Sequence, residues 1–297
     1  MSERPERQRG LRFGYLLLTL LGLIALAGIA FTVLRPPSPE VAGASTAAAL
    51  ALAGMTVVGY GIRGLHSAQY HLDRNGLTLT WWPAVYIIPM HAIRELRPGP
   101  TSPRALRGWR GLRWPGLYIG HARTAEEGRP VLFLATAGPA QQLWVVTEAA
   151  IYAISPTDPA AFREAFAQRA ALGPTQRLPQ TTLLPPWRQR AFWGDRAAWG
   201  LILLGGLVLW GMWVWLCWRF PDLPAWIPLE GSTALDLLSP TAHLTRLPAL
   251  GALVWAVHAV LGGILHEHER PAAYGLWLIA LLVQILLLGA LLQLVPV

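Results

Sequence analysis

Three stretches of 22 residues without a charged side chain, each closed at both ends by one, constrain this chain more than any other feature. Residues 13–34 lie between Arg12 and Arg35, 41–62 between Glu40 and Arg63, and 197–218 between Arg196 and Arg219. As a helix, such a stretch reaches about 33 Å, enough to cross a hydrocarbon core of about 30 Å. Residues 247–265 form a fourth stretch, of 19 residues. The chain carries no charge after Arg270, which places a fifth span at 274–294. Charged residues make up only 13% of the chain and hydrophobic ones 54%, too few charges to cover a water-soluble globule. The expected class is an α+β membrane protein with five transmembrane helices, two before and three after an inserted domain.

The first span follows several Arg residues, as a secretory signal would, and Ala42-Gly43-Ala44 resembles a cleavage site. Its apolar core is too long for a signal, and cutting there would destroy the second span. Orientation follows from arginine, because positive charge stays in the cytoplasm. Four Arg lie in the N-terminal tail, sixteen from Arg63 to Arg196, and one at Arg270, making 21 on one side. Only Arg35, Arg219 and Arg246 lie on the other. The expectation is a multi-pass inner-membrane protein with the N-terminus and residues 63–196 cytoplasmic and the C-terminus outside. Trp193 and Trp199 at one end of the third span, and Trp215 and Trp218 at the other, suit interfacial belts. The turn from Arg35 to Glu40 forces the first two spans (13–34 and 41–62, after a short tail within 1–63) into a hairpin. Gly43, Ala47 and Ala51 would let the second span pack closely.

Residues 64–172 change character. Asp73-Arg-Asn-Gly76 sits between alternating apolar runs, the strongest short-range hairpin signal. Strand-like runs follow at 85–88, 92–96, 117–122, 131–135, 143–147 and 151–154. One helix has both ends marked: Asp158 as N-cap, Pro159 at the first position, and Gly173-Pro174 at the close. Phe162 and Phe166 share the face that would pack on the sheets. Such an order implies an antiparallel barrel or sandwich with a C-terminal helix. Residues 173–196, rich in proline, read as a linker. Residues 197–297 then carry the last three spans, at 197–218, 247–265 and 274–294, with an outer loop at 219–246.

The phrases Asp73-Arg-Asn-Gly-Leu-Thr-Leu79, Ile88-Pro-Met-His-Ala-Ile93, Gly116-Leu-Tyr-Ile-Gly120, Phe133-Leu-Ala-Thr136 and Ala153-Ile-Ser-Pro-Thr-Asp-Pro159 resemble the pleckstrin-homology-like (PH-like) domain of bacterial membrane proteins. The resemblance implies bent sheets plugged by the final helix, no catalytic residues, and a role in binding or assembly. It does not imply phosphoinositide recognition, since the 73–76 loop is short and lacks Lys.

Chemistry is sparse. All 24 basic residues are Arg, which excludes Schiff-base, P-loop and kinase lysines. Cys217 is the single cysteine, so paired-Cys redox motifs and internal disulfides are excluded. Gly59-Tyr-Gly61-Ile-Arg-Gly64 matches the dinucleotide-binding pattern but ends an apolar span instead of following a strand. Arg104, Arg107, Arg110 and Arg113, interleaved with Trp109 and Trp114, are expected on a loop facing anionic lipid. Gly108 and Gly111 argue against a helix there. His266-Glu267-His268-Glu269 lacks the spacing of a metal site. His258 lies within the fourth span and is expected to hydrogen-bond to Gln284 on the fifth. No cofactor, metal or nucleic acid is implied. Anionic lipids, and a protein partner or second copy, are the expected partners. The expected function is non-enzymatic scaffolding, regulation or membrane-surface interaction; the alternative is a transporter or membrane enzyme centred on His258.

Overall fold

A computed structural model describes residues 1–176, 178–229 and 237–295. Part of the expected 219–246 loop, Arg177 of the expected linker, and the last two positions lie outside the described residues. Among those described, the helices are α1 (Gln8–Leu34), α2 (Pro39–Ser67), α3 (Pro159–Leu172), α4 (Pro186–Gln189), α5 (Arg196–Arg219), α6 (Arg246–Leu265) and α7 (Arg270–Leu294). All but α3 and α4 are long and apolar enough to cross a membrane. The chain divides into two compact units. One comprises Met1–Leu23 and Ala51–Pro185, the other Ile24–Leu50 and Pro186–Val297.

Among the described residues, the first unit holds eleven strands in two sheets. In chain order they are β1 (Ser2–Glu3), β2 (Gln69–Leu72), β3 (Gly76–Trp81), β4 (Ala84–Pro89), β5 (Ile93–Pro98), β6 (Leu106–Trp114), β7 (Leu117–Thr124), β8 (Pro130–Ala135), β9 (Leu143–Thr147), β10 (Ile151–Ile154) and β11 (Thr181–Leu183). The five-stranded sheet runs β1-β2-β3-β4-β11, the six-stranded sheet β5-β9-β10-β8-β7-β6. The β2–β3 turn forms as its sequence predicts. The Asp73 carboxylate accepts from the backbone N–H groups of Asn75 and Gly76, at 2.7 and 2.8 Å. Tyr70, Leu72, Leu79 and Trp81 from one sheet share a core with Leu117, Leu134, Val145 and Ile154 from the other, and Phe162 of α3 is buried in it. Phe166, on the same helix face, packs at its margin.

Two expectations are corrected here. The fold is neither closed nor wholly antiparallel: the two sheets do not form a barrel, and β10 runs parallel to β8. The cause is the connection through 136–142, which carries β9 past the position beside β8. The returning β10 then fills that position in the same direction as β8. The 104–114 segment is not a loop, because 106–114 forms the edge strand β6. The glycines that exclude a helix permit a bulge instead. Between Arg107 and Arg110 the strand spends three steps against two on β7, and Gly108 takes a φ of +66°. Within the expected linker, 181–183 pairs with β4 as β11, and within the tail Ser2–Glu3 pairs with β2 as β1. β1 and β11 thereby become the edge strands and cover both sides of the β2-β3-β4 meander.

In the first unit, the sheets are built directly onto α1 and α2. A Cβ on Gly10 would overlap the backbone of Gly116, and one on Gly61 would overlap the Trp114 ring. The Trp114 indole N–H donates to the Gly10 carbonyl at 3.2 Å, and Leu65 of α2 is fully buried in the shared core. Only glycine allows this approach of helix to strand turn.

In the second unit, α6 and α7 form an antiparallel hairpin and both pack on α5. Large rings seat on glycines: Trp255 against Gly205 and Gly206, and Trp277 against Gly262. The Trp255 N–H donates to the Ile202 carbonyl at 2.9 Å. Gly28 of α1 seats against Ala44 and Ala48 of α2, while Gly43 has no neighbour within 4 Å, so close packing falls one residue beyond the expected row. Ser45 and Thr46 accept from the indoles of Trp213 and Trp210 on α5. Strands β12 (Trp226–Leu229) and β13 (Leu237–Pro240) pair antiparallel between α5 and α6.

Candidate functional site

A cavity of about 720 Å³ lies in the first unit where the parallel strands β8 and β10 end. Their continuations leave in different directions, one toward β9 and one toward α3. Such divergence opens a crevice at strand ends, as at the switch points of open α/β sheets. Its floor is a pair of hydroxyls, one beyond each strand. Thr136 and Ser155 sit 3.0 Å apart, and the Thr136 backbone N–H donates to the Ser155 oxygen at 2.7 Å. Beneath them, the Tyr70 hydroxyl donates to the Leu134 carbonyl at 2.6 Å and accepts from the Ser155 N–H at 3.3 Å. Burial pushes the Tyr70 phenol above its ordinary value, so it stays a neutral donor. Tyr118, Glu6, Arg9 and Arg113 line the walls. The side chains of Glu6, Arg9 and Arg113 make no hydrogen bond or ion pair among the described residues.

The expected lipid-facing residues separate by type. Arg104, Arg107, Arg110 and Arg113 are all exposed. Trp109 and Trp114 are half-buried and pack inward. Trp109 lies 4.7 Å from the Phe133 ring on one face of the six-stranded sheet, and Trp114 packs beside Leu112 at the core shared with the other sheet. The two rings stand five residues apart, so strand alternation alone puts them on opposite faces, and the bulge lies between Arg107 and Arg110.

His258 and Gln284 do not bond each other. His258 Nδ1 lies 2.8 Å from the Val254 carbonyl of its own helix. Gln284, fully buried, donates instead to the Gly251 carbonyl at 2.6 Å. The imidazole folds back onto the carbonyl four residues earlier on its own helix, and Gly251, without a side chain, leaves its carbonyl uncovered for the amide. Between α5, α6 and α7 lies a void of about 10 Å³ with an apolar lining. That is at or below the room one water needs.

Sequence reasoning missed the polar cluster at one end of this bundle. The Asp195 carboxylate caps α5, accepting from the N–H groups of Ala197 and Ala198 at 3.1 and 3.2 Å. It also accepts from His266 Nε2 at 2.8 Å and from the Tyr274 hydroxyl at 2.8 and 2.9 Å. One side chain thus joins the ends of α5, α6 and α7. Hydrogen bonds from His266 and then Tyr274 hold the Asp195 carboxyl down at about 2. His266 is fully buried and stacks on Trp277, with its Nδ1 unpartnered. Its neighbour Glu267 pairs with Arg190 at 3.3 Å, so adjacent members of the 266–269 run have different partners. No metal-type grouping of side chains occurs among the described residues. The available signal was that Asp195, His266 and Tyr274 each stand at the same end of an apolar stretch.

Residues 68–170 match the family model described as a bacterial PH domain, so the first unit carries a bacterial PH-like domain. No curated protein and no solved structure gives a significant match.

Proposed function

We propose that this chain is a multi-pass inner-membrane scaffold that holds a PH-like module at the cytoplasmic surface and does no chemistry of its own. In this reading α1, α2, α5, α6 and α7 cross the membrane, the module is cytoplasmic, and the C-terminus is outside. The supporting observation is the seam between the module and α1 and α2. Gly10, Gly61 and Trp114 weld strand turn to helix, an arrangement suited to fixed presentation and wasteful for a swinging tether. The tight packing around Trp255 and Trp277 also fits a supporting role better than a permeation path. The exposed arginines of β6 would add weak attraction to anionic lipid, about 1 kcal/mol each near the surface and screened by salt.

Photocrosslinking in native membranes tests the scaffold. With reactive groups placed in turn at 104, 107 and 110 in the full chain, neighbouring positions should capture one discrete protein, including a second copy of this chain. A chain that captures no protein from any exposed position of the module overturns the reading. Sidedness is tested separately. A reporter active only in the periplasm should be active after Val297 and silent at residue 125, and the reverse pattern overturns the orientation.

A further inference from the structure

The crevice at the ends of β8 and β10 gathers charges that do not neutralise one another. Arg9 and Arg113 contribute two guanidinium groups and Glu6 one carboxylate, all without partners among the described residues. Below them lie the hydroxyls of Thr136, Ser155 and Tyr118. Arginine's planar fork matches a phosphate, hydroxyls complete its hydrogen bonding, and a lone carboxylate beside them suits an ammonium. The volume falls within the usual range for small-ligand sites. Depth narrows the source. Arg9 stands four residues before Phe13, where the uncharged stretch of α1 begins, about 6 Å along a helix. The headgroup layer is about 5–7 Å thick on each side of the hydrocarbon.

We propose that this crevice binds a phosphodiester bearing a primary amine, the chemistry of an aminophospholipid head, with Arg9 and Arg113 on the phosphate and Glu6 on the ammonium. The inference rests on the reading that α1 enters the membrane. It concerns the ends of β8 and β10, not the 73–76 hairpin loop, where the Asn75 side chain already accepts from Thr175 and Gln176. A free phosphoester of the same chemistry would satisfy the same groups, so the experiment separates the two sources.

The full chain in detergent is titrated with glycerophosphoethanolamine, glycerophosphoglycerol and inorganic phosphate. The amine-bearing ester should bind at least threefold more tightly than the other two. Arg113→Gln should weaken it tenfold or more, and Glu6→Gln should remove the preference for the amine while phosphate binding remains. Both side chains are exposed, and unchanged melting of each variant confirms intact folding. In a second arm, the chain is extracted from nanodiscs of equal phosphatidylethanolamine and phosphatidylglycerol, and retained lipid is counted by native mass spectrometry. Retained phosphatidylethanolamine lost in Arg113→Gln supports a lipid source. Binding of the soluble ester with no retained lipid supports a soluble one. Equal binding of all three soluble probes, or no binding, overturns the proposal. If the crosslinks described above persist while no probe binds, this inference alone falls.

Discussion

In the two-sheet unit, Tyr70, Leu72, Leu79, Phe133 and Phe162 are withdrawn almost completely from the surface, and the core draws on both sheets and α3. In the helix bundle, Leu203, Leu253 and Leu286 stay 65%, 61% and 63% exposed, while much of what is buried is glycine or alanine with a single indole seated against it. The two regions are therefore stabilised by different forces. Burial of apolar surface drives the first, as in any water-facing domain. If the bundle spans a membrane as proposed above, such burial would do little for helices whose alternative environment is also apolar. Close backbone approach and a few well-placed polar contacts must hold those together. The seam and buried tyrosine should carry the first region, and Asp195 the second.

Gly10→Leu should break the first region most. The new side chain meets the backbone of Gly116, which cannot rotate away, so the cost should reach the upper end of the usual overpacking range, about 3 kcal/mol. Loss of the module's thermal transition in detergent is the expected result. Gly59→Ala is the control, because nothing lies within 4 Å of that position and melting should be unchanged. Tyr70→Phe should cost about 1–3 kcal/mol, since it leaves the buried Ser155 N–H and Leu134 carbonyl without their hydroxyl partner. Chemical denaturation followed by module fluorescence measures it. A change below about 0.5 kcal/mol would show that water replaces the hydroxyl.

The bundle should respond instead to Asp195→Ala, which removes a helix cap and the partner of His266 and Tyr274 together. Its transition should fall while that of the module stays, and equal shifts in both would erase the distinction drawn above. Acid probes the same joint. A carboxyl held below its ordinary value stabilises the folded state while ionised. This contribution is complete above pH 4 and is lost as pH falls from about 3.8 to about 2. Hydrogen exchange at the ends of α5, α6 and α7 should rise over that window, and it should do so less in Asp195→Asn. Gln284→Leu should have the smallest effect. The amide's bond to Gly251 is worth about 0.6 kcal/mol on average in such helices, and its carbonyl oxygen is buried without a partner, so the terms nearly cancel.

Local pattern was enough for much of this molecule. Five long apolar helices followed from uncharged length alone, because a helix satisfies its own backbone and needs no distant partner. The β2–β3 turn followed from Asp73-Arg-Asn-Gly76, and α3 from Asp158 and Pro159, whose geometry is set within four residues. Long-range pairing was not legible. The segment 106–114 looked like a loop because its glycine pattern records a bulge, and a bulge has meaning only against the partner strand β7. The parallel β8–β10 pair, and the Thr136–Ser155 crevice it opens, depend on which side of β10 the strand β9 takes. His258 was singled out because an ionisable group in an apolar run stands out in sequence, yet its own helix satisfies it. Asp195 and Tyr274 drew no notice in the sequence, and His266 drew notice only as part of a run with the wrong spacing for a metal. Their meeting depends on three helix ends arriving at one point, and no spacing along the chain encodes that coincidence, because the register between helices is set by where each ring finds a glycine.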